Sequence, residues 1–166
     1  ACSPDGAACA PKKLAPLSGH TGYVEPKVMY TKLPKGTLKP HVVITGGAGF
    51  IGSQLGDHLH KLGHEVTLID NMRFGYDDNL VVDGERFGRF VLADVMDPRT
   101  WKYFEGAEVI FHFAALSALP ICQSHPRDTM GVNVGGVANV LEGARLANVK
   151  RFVFASTSAT YENTKA

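Results

Sequence analysis

Glycines at positions 46, 47, 49 and 52, between a β-branched run and a helical stretch, are the strongest chemical signal in this sequence. Their spacing holds both G-x-x-G-x-x-G and G-x-G-x-x-G. In a strand-to-helix turn, one glycine permits the tight bend, another lets backbone approach a diphosphate, and a third lets the helix pack close to the sheet. Free N–H groups at the helix start then face the anion. The pattern predicts a diphosphate-binding turn, and glycine-rich packing without a ligand is the alternative.

A carboxylate in the right place supports the diphosphate interpretation. Asp70 ends the next apolar run, 24 residues after Gly46. An acid at this place accepts hydrogen bonds from an adenosine ribose and repels a 2′-phosphate, which favours NAD over NADP. Arg73 follows three residues later and would partly offset that preference.

Two further strand ends carry candidate contacts to the same ligand. Asp94 ends the third apolar run and would hydrogen-bond the adenine edge, with capping of the next turn as the alternative. Phe113, Ala114 and Ala115 end the fourth run. Small residues there would let the chain pass close to the pyrophosphate and the second ribose, and packing alone is the alternative.

The elements that must position these residues are strands alternating with helices. Periodicity predicts helices over 50–62, 98–104 and 127–147. Almost no polar alternation interrupts the strand at 108–113, as expected of a parallel strand covered on both faces. The fold class is therefore α/β with a doubly wound parallel sheet. The five predicted strands span residues 41–45, 65–70, 87–94, 108–113 and 151–155.

Composition excludes several classes of protein. With 166 residues, 45% of them hydrophobic, and a net charge of +1, the chain can build one domain with a sizeable core and is not disordered throughout. The longest apolar run, near 109–116, is far below the about 18 residues of a membrane span. Three cysteines without a CxxC pair and seven scattered histidines predict neither a disulfide framework nor a metal site. Lys12 and Lys13 are too few for a nucleic-acid patch.

Residues 1–40 differ from the rest and are predicted to form a Pro/Lys-rich extended arm, with 41–166 as the folded domain. The arm holds six of the nine prolines, and six lysines against two acids. A solvated leader is one interpretation; a tail ordered by a protein partner is the other. Because the sequence starts with Ala and not Met, we expect either a processed precursor or an artificial start. Removal of a transit peptide would favour a plastid or mitochondrion over the cytoplasm.

Taken in order, the motifs resemble the extended short-chain dehydrogenase/reductase family, in its NAD-dependent epimerase/dehydratase group. The resemblance runs from His41 to Glu162, and it is strongest to UDP-glucose 4-epimerases and UDP-glucuronate decarboxylases. The motifs are Thr45-Gly46-Gly47-Ala48-Gly49-Phe50-Ile51-Gly52-Ser53, Ile69-Asp70-Asn71, Ala93-Asp94-Val95, His112-Phe113-Ala114-Ala115, Val132-Asn133-Val134-x-Gly136, and the stretch from Val149 to Tyr161.

This resemblance implies a Rossmann-type sheet with strand order 3-2-1-4-5 and NAD as the cofactor. It places Phe50 and Ile51 at the pyrophosphate, and makes Thr157 the catalytic Ser/Thr that hydrogen-bonds the reacting hydroxyl. The other implied cofactor contacts are Asp70 and Asn71 at the adenosine ribose, Asp94 and Val95 at the adenine, Phe113, Ala114, Ala115 and Ser117 along the cofactor, Asn133 on the long helix, and Ser156 at the nicotinamide end.

The implied reaction removes a hydride from a UDP-sugar to NAD, lets the sugar epimerise, eliminate or decarboxylate, and returns the hydride. The family's base is a Tyr-x-x-x-Lys pair on a later helix. Tyr161 and Lys165 match that spacing, but Tyr161 aligns with the end of the preceding strand motif, so we expect the base to be missing. The substrate domain and a sixth strand are also expected to be missing, which would leave the fifth strand as an edge for another segment or protein to cover.

Two functions remain open from the sequence. The first is an NAD-dependent nucleotide-sugar epimerase or dehydratase, an isomerase-type oxidoreductase that is inactive as this fragment. The alternative is a non-catalytic Rossmann-fold accessory subunit of a larger, organellar assembly.

Overall fold

A computed structural model describes residues 25–32 and 39–157. Helices and strands are interspersed along these residues. Helix α1 is Phe50–Lys61, α2 is Leu119–Ser124, α3 is Pro126–Met130 and α4 is Val137–Leu146, with 3₁₀ turns at Asp77–Leu80 and Pro98–Tyr103. The strands are β1 (Lys27–Lys32), β2 (Lys39–Thr45), β3 (His64–Asp70), β4 (Val81–Val82), β5 (Glu85–Arg86), β6 (Gly88–Leu92), β7 (Ala107–His112) and β8 (Arg151–Phe154).

Six of these strands form one sheet in the order β1-β6-β3-β2-β7-β8, and β4 and β5 form a separate small hairpin. Strands β6, β3, β2, β7 and β8 are parallel, while β1 is antiparallel to β6. The α/β class and the predicted order of the five parallel strands are confirmed. Among the described residues, β8 pairs with β7.

Strand β1 is the main difference from the sequence analysis, which placed residues 27–32 in the arm. The Tyr30 ring stacks on Phe90 with 5.8 Å between ring centroids, and the Tyr103 hydroxyl donates a hydrogen bond to the Pro26 carbonyl at 3.3 Å. The described part of the arm is thus ordered by the domain's own sheet. The N–H and C=O groups of β6 that would otherwise be unpaired at the sheet edge explain why this short β-prone run attaches there.

Each strand contributes side chains to both faces of the sheet, because successive residues point to opposite sides. A hydrophobic cluster covers each face. On β2, Val42 and Ile44 pack with Leu68 and Phe90 on the α1 side, whereas Val43 packs on the side of α4. The carboxyl ends of the parallel strands are consequently held at one edge by two hydrophobic layers.

The predicted helix over 127–147 is continuous but not uniform. Between α3 and α4, residues Gly131–Gly136 form a π-helical turn, a feature common at functional sites. Gly136 allows this turn to lie against Val95, since a Cβ at Gly136 would be 3.0 Å from the Val95 Cγ2 atom. The wide turn places Val132 and Asn133 over the edge of the sheet.

Within residues 25–32 and 39–157, no helix is long and apolar enough to cross a membrane. The same part of the chain contains no group of three or more His, Cys, Asp or Glu residues that could hold a metal ion.

Candidate functional site

A cleft of about 990 Å³ lies at the carboxyl ends of the parallel strands. In open α/β sheets, ligands bind at this edge where the strand order reverses, here between β2 and β7. Its walls contain every site residue predicted from the sequence except Asp94. Those in the walls are Gly46, Gly49, Phe50, Ile51, Gly52, Asp70, Asn71, Val95, Phe113, Ala114, Ala115, Ser117, Asn133, Ser156 and Thr157.

The turn between β2 and α1, residues 46–52, forms the middle of the cleft floor. Gly46 has φ +69°, and a Cβ there would lie 2.7 Å from the Ala114 nitrogen. A Cβ on Gly52 would lie 2.3 Å from the Gly46 carbonyl oxygen. These two glycines are therefore required by the fold of the turn itself.

Gly49 differs, because it precedes α1 with φ −76° and a Cβ there would meet only the Gly46 oxygen, at 3.2 Å. In the described part of the chain, no side chain caps α1, and its first turn holds no acid. The N–H groups at its start are left for an anion in the cleft. Phe50, 77% exposed, and Ile51 stand beside that position.

The Asp70 carboxylate is fixed beside this turn. It accepts hydrogen bonds from the Ala48 N–H at 3.1 Å and the Met72 N–H at 2.8 Å. Burial raises the Asp70 pKa, against the lowering effect of these N–H groups. A carboxylate oxygen offers more than one lone pair, so Asp70 can also accept from ribose hydroxyls in the cleft.

Asp94 lies behind the cleft and not in its wall. Its carboxylate accepts hydrogen bonds from the Asn71 side-chain amide at 3.1 Å and from the Met96 N–H at 2.9 Å. Asp94 thus caps the turn after β6 and orients Asn71, which does line the cleft. Its adenine contact stays a prediction, as do the roles of the other predicted residues.

Asn133 uses both ends of its side-chain amide on one residue. It accepts from the Leu116 N–H at 2.8 Å and donates to the Leu116 carbonyl at 2.9 Å. Asn133 therefore holds the segment after β7, and acts on the cleft by positioning that segment.

His112 is a cleft residue whose role the sequence analysis did not identify. It is 1% exposed, its Nδ1 is 2.8 Å from the Thr45 hydroxyl, and its ring stacks with Phe152 and Phe154. Burial lowers its pKa to about 4, so the imidazole is neutral at pH 7. Within the described chain its Nε2 has no hydrogen-bond partner. The motif containing His112 was recognised, but its burial depends on β8, about 40 residues later.

The end of the cleft beyond β7 and β8 is formed by Phe154, Ala155, Ser156 and Thr157. Ser156 and Thr157 are exposed. The sequence candidates Tyr161 and Lys165 lie outside the described residues. Arg73 and Phe74, from the loop after β3, also line the cleft.

Comparisons with known proteins agree with this geometry. Residues 42–166 match the model of the NAD dependent epimerase/dehydratase family. A UDP-glucose 4-epimerase of Streptomyces lividans is 38% identical over 122 residues, which cover 72% of this chain and 36% of the relative. A UDP-N-acetyl-alpha-D-glucosaminuronate decarboxylase of Bacillus cytotoxicus is 33% identical over 127 residues, covering 75% and 38%. The chain thus spans less than two fifths of these curated relatives.

Two solved structures show the same relationship. The UDP-glucose-4-epimerase of Stenotrophomonas maltophila, with bound NAD and formylated UDP-arabinopyranose, matches with a TM-score of 0.71 and 29% identity, covering 77% of this chain and 40% of that one. The UDP-glucose 4-epimerase of Brucella ovis in complex with NAD matches with a TM-score of 0.68 and 31% identity, covering 75% and 38%.

The glycine turn yields the first testable prediction. Gly49→Ala should weaken NAD binding about tenfold, because its methyl group would take up space at the start of α1 that is predicted for the diphosphate. It should lower the melting temperature by only a few degrees, since Ala is a poorer N-cap than Gly but its Cβ would meet only the Gly46 oxygen. Gly52→Ala should instead cost about 1–3 kcal/mol of unfolding free energy through overpacking. Gly135→Ala, with open space around it, is the control. Calorimetric titration with NAD and thermal unfolding measure both effects; wild-type affinity in Gly49→Ala would contradict the prediction.

The second prediction concerns His112 and pH. Its folded pKa of about 4 lies below the ordinary 6.5, so between these values the unfolded chain binds the extra proton. The stabilisation that comes from keeping His112 neutral is fully present above pH 6.5. It is lost as pH falls towards 4, which lowers the free energy of unfolding by about 3 kcal/mol.

His112→Gln removes this titration. The difference in unfolding free energy between wild type and His112→Gln, measured by urea at pH 7 and pH 4, should therefore shrink by about 3 kcal/mol at the lower pH. A difference that does not change with pH would show that His112 is not held neutral.

Proposed function

Because this chain belongs to the NAD dependent epimerase/dehydratase family, we propose that it is the cofactor-binding half of an enzyme that transiently oxidises the sugar of a UDP-sugar. One observation carries the proposal: a single cleft joins the glycine turn and Asp70 to Ser156 and Thr157. The relatives and solved structures named above, UDP-sugar enzymes among them, support the substrate class. Since the chain spans less than two fifths of those relatives, the proposal concerns the whole protein that contains this region.

The residues of the cleft fit NAD. Gly49 leaves the diphosphate room at the start of α1, where N–H groups face an anion. On the β3 side, the Asp70 carboxylate is held for the ribose hydroxyls, and Asn71 and Val95 form the walls for the adenine. On the β7 side, the small side chains of Ala114 and Ala115 leave room along the wall, where the second ribose and the nicotinamide would extend towards Thr157.

The chemistry that NAD supplies when bound is acceptance of a hydride and its later return. Thr157 lines the cleft at the end proposed for the nicotinamide, where its hydroxyl could donate a hydrogen bond to the reacting sugar oxygen and accept one in turn. We propose that Thr157 orients this oxygen and passes its proton to a base. The segment bearing Thr157 is anchored to β7 by the Ala155 N–H, which donates to the His112 carbonyl at 3.4 Å.

The third prediction tests this role in the protein at its natural length. Thr157→Val keeps the shape of the side chain but removes the hydroxyl, and should lower kcat for UDP-sugar conversion about 10²-fold, with NAD affinity unchanged. Thr157→Ser keeps the hydroxyl and should retain most of the activity. Steady-state kinetics and NAD titration measure the two quantities.

Three outcomes separate the functions. Hydride exchange between a labelled UDP-sugar and NAD supports the proposal. NAD binding without any exchange in the wild-type protein overturns it in favour of the non-catalytic accessory subunit. Full activity in Thr157→Val leaves the reaction intact but removes Thr157 from it.

A further inference from the structure

The loop over residues 71–76, here called the cleft loop, crosses the cleft from the β3 side. Arg73 and Phe74 line the main cleft. Phe74 also lines a second cavity of about 180 Å³ together with residues 115–118 and Ile121, which follow β7. The cleft loop therefore reaches from the end of β3 to the segment after β7, on the opposite side of the glycine turn.

Both ends of the cleft loop are fixed to the floor of the cleft. At one end, the Met72 N–H donates to the Asp70 carboxylate at 2.8 Å. At the other, the Tyr76 N–H donates to the Ala48 carbonyl at 3.1 Å, and the Asn79 side chain donates to the same carbonyl at 2.8 Å. The Arg73 N–H is held as well, since it donates to the Asn71 side-chain oxygen at 3.0 Å.

An ion pair connects the middle of the cleft loop to the other wall. The Arg73 guanidinium lies 3.6 Å from the Asp128 carboxylate on α3, and the two side chains are only 23% and 25% exposed. The same continuous helix carries Val132 and Asn133, which line the cleft. Asn71 and Val95, which are predicted to contact the adenosine, lie on the same side of the glycine turn as this ion pair. The pair therefore joins the two walls at the adenosine end.

We propose that Arg73 and Asp128 form a latch across the adenosine end of the cleft, and that this latch slows the dissociation of NAD. The inference rests on the proposed function only in taking NAD as the ligand. A dinucleotide leaving between the cleft loop and α3 must separate the pair. Partial burial makes the pair harder to separate than an exposed one, since less water screens the two charges.

Recognition of NADP is an alternative role for Arg73, and it predicts a different result. If its guanidinium contacted a 2′-phosphate, it would select NADP, and Asp128 would have no part in retention. In the structure Arg73 faces Asp128 and lies over the Phe74 ring, 5.4 Å from its centroid. The contact with Asp128 directs the guanidinium towards α3, which favours the latch.

The fourth prediction concerns the rate at which NAD dissociates from the protein at its natural length. NAD-loaded protein is mixed with an excess of the fluorescent etheno analogue of NAD, and the rate at which the analogue replaces NAD is measured. Arg73→Ala and Asp128→Ala should each accelerate release about fivefold, and the double variant no further, because both remove one interaction. Arg145→Ala, which breaks the exposed Arg145–Glu142 pair on α4, is the matched control and should release NAD at the wild-type rate.

Two further measurements sharpen the test. The double variant Arg73→Asp with Asp128→Arg exchanges the two charges and should release NAD about as slowly as the wild type. Added salt should accelerate release from the wild type and have less effect on the alanine variants, since it screens the partly exposed pair. Thermal unfolding checks that the variants remain folded.

The outcomes are separable from those of the proposed function. If the wild type binds NAD and all variants release it at the same rate, the latch is overturned and the proposed function stands. Acceleration by Arg73→Ala alone, or weakened binding of NADP alone, also overturns the latch. Failure of the wild type to bind NAD overturns both.

Discussion

The structure of the cleft depends on how closely the turn after β2 can approach its neighbours. Gly46 adopts a positive φ against the backbone of Phe113 and Ala114, and a Cβ on Gly47 would lie 2.7 Å from the Leu68 Cβ. Gly52 brings α1 against the Gly46 carbonyl. The sequence analysis treated glycine packing and diphosphate binding as alternatives, but the same arrangement permits both, because close packing leaves the first N–H groups of α1 without intrahelical partners at the cleft. Gly49 is the glycine of this turn whose Cβ would meet the least protein, so its missing side chain fits the proposed diphosphate site better than a packing need.

Around this turn, short polar side chains hold the loops that follow each strand. Backbone N–H and C=O groups lose their ladder partners where strands end, and they must find others. Asp70 binds the backbone of the glycine turn, Asn133 binds that of the segment after β7, and Asp94 binds that of its own turn. Residues that resemble ligand contacts in the sequence therefore also build the walls of the cleft, and mutating them changes wall and contact together. This is why the sharper tests use Gly49, Thr157 and the Arg73–Asp128 pair.

The sequence predicted those parts of the fold that depend on local pattern. The five parallel strands and α1 follow from apolar runs and from the glycines between them, and the cleft residues follow from their position at strand ends. Strand β1 could not be predicted, because its pairing depends on the exposed edge of β6, about 60 residues later. Asp94 lies behind the cleft, where it binds the Asn71 side chain, and Arg73 pairs with Asp128. Neither contact leaves a periodic signal in the sequence, so neither could be predicted.

A latch over the adenosine end is consistent with the chemistry proposed for the other end. An enzyme that consumes its cofactor as an oxidant must exchange it in every turnover, so slow release would limit its rate. A reaction that removes a hydride and then returns it to the same sugar leaves the cofactor unchanged, and slow release then has no cost for turnover. It also lowers the chance that the cofactor is lost while the sugar is oxidised. The proposed Arg73–Asp128 latch thus acts on cofactor retention, whereas Thr157 is the residue proposed to act on the sugar.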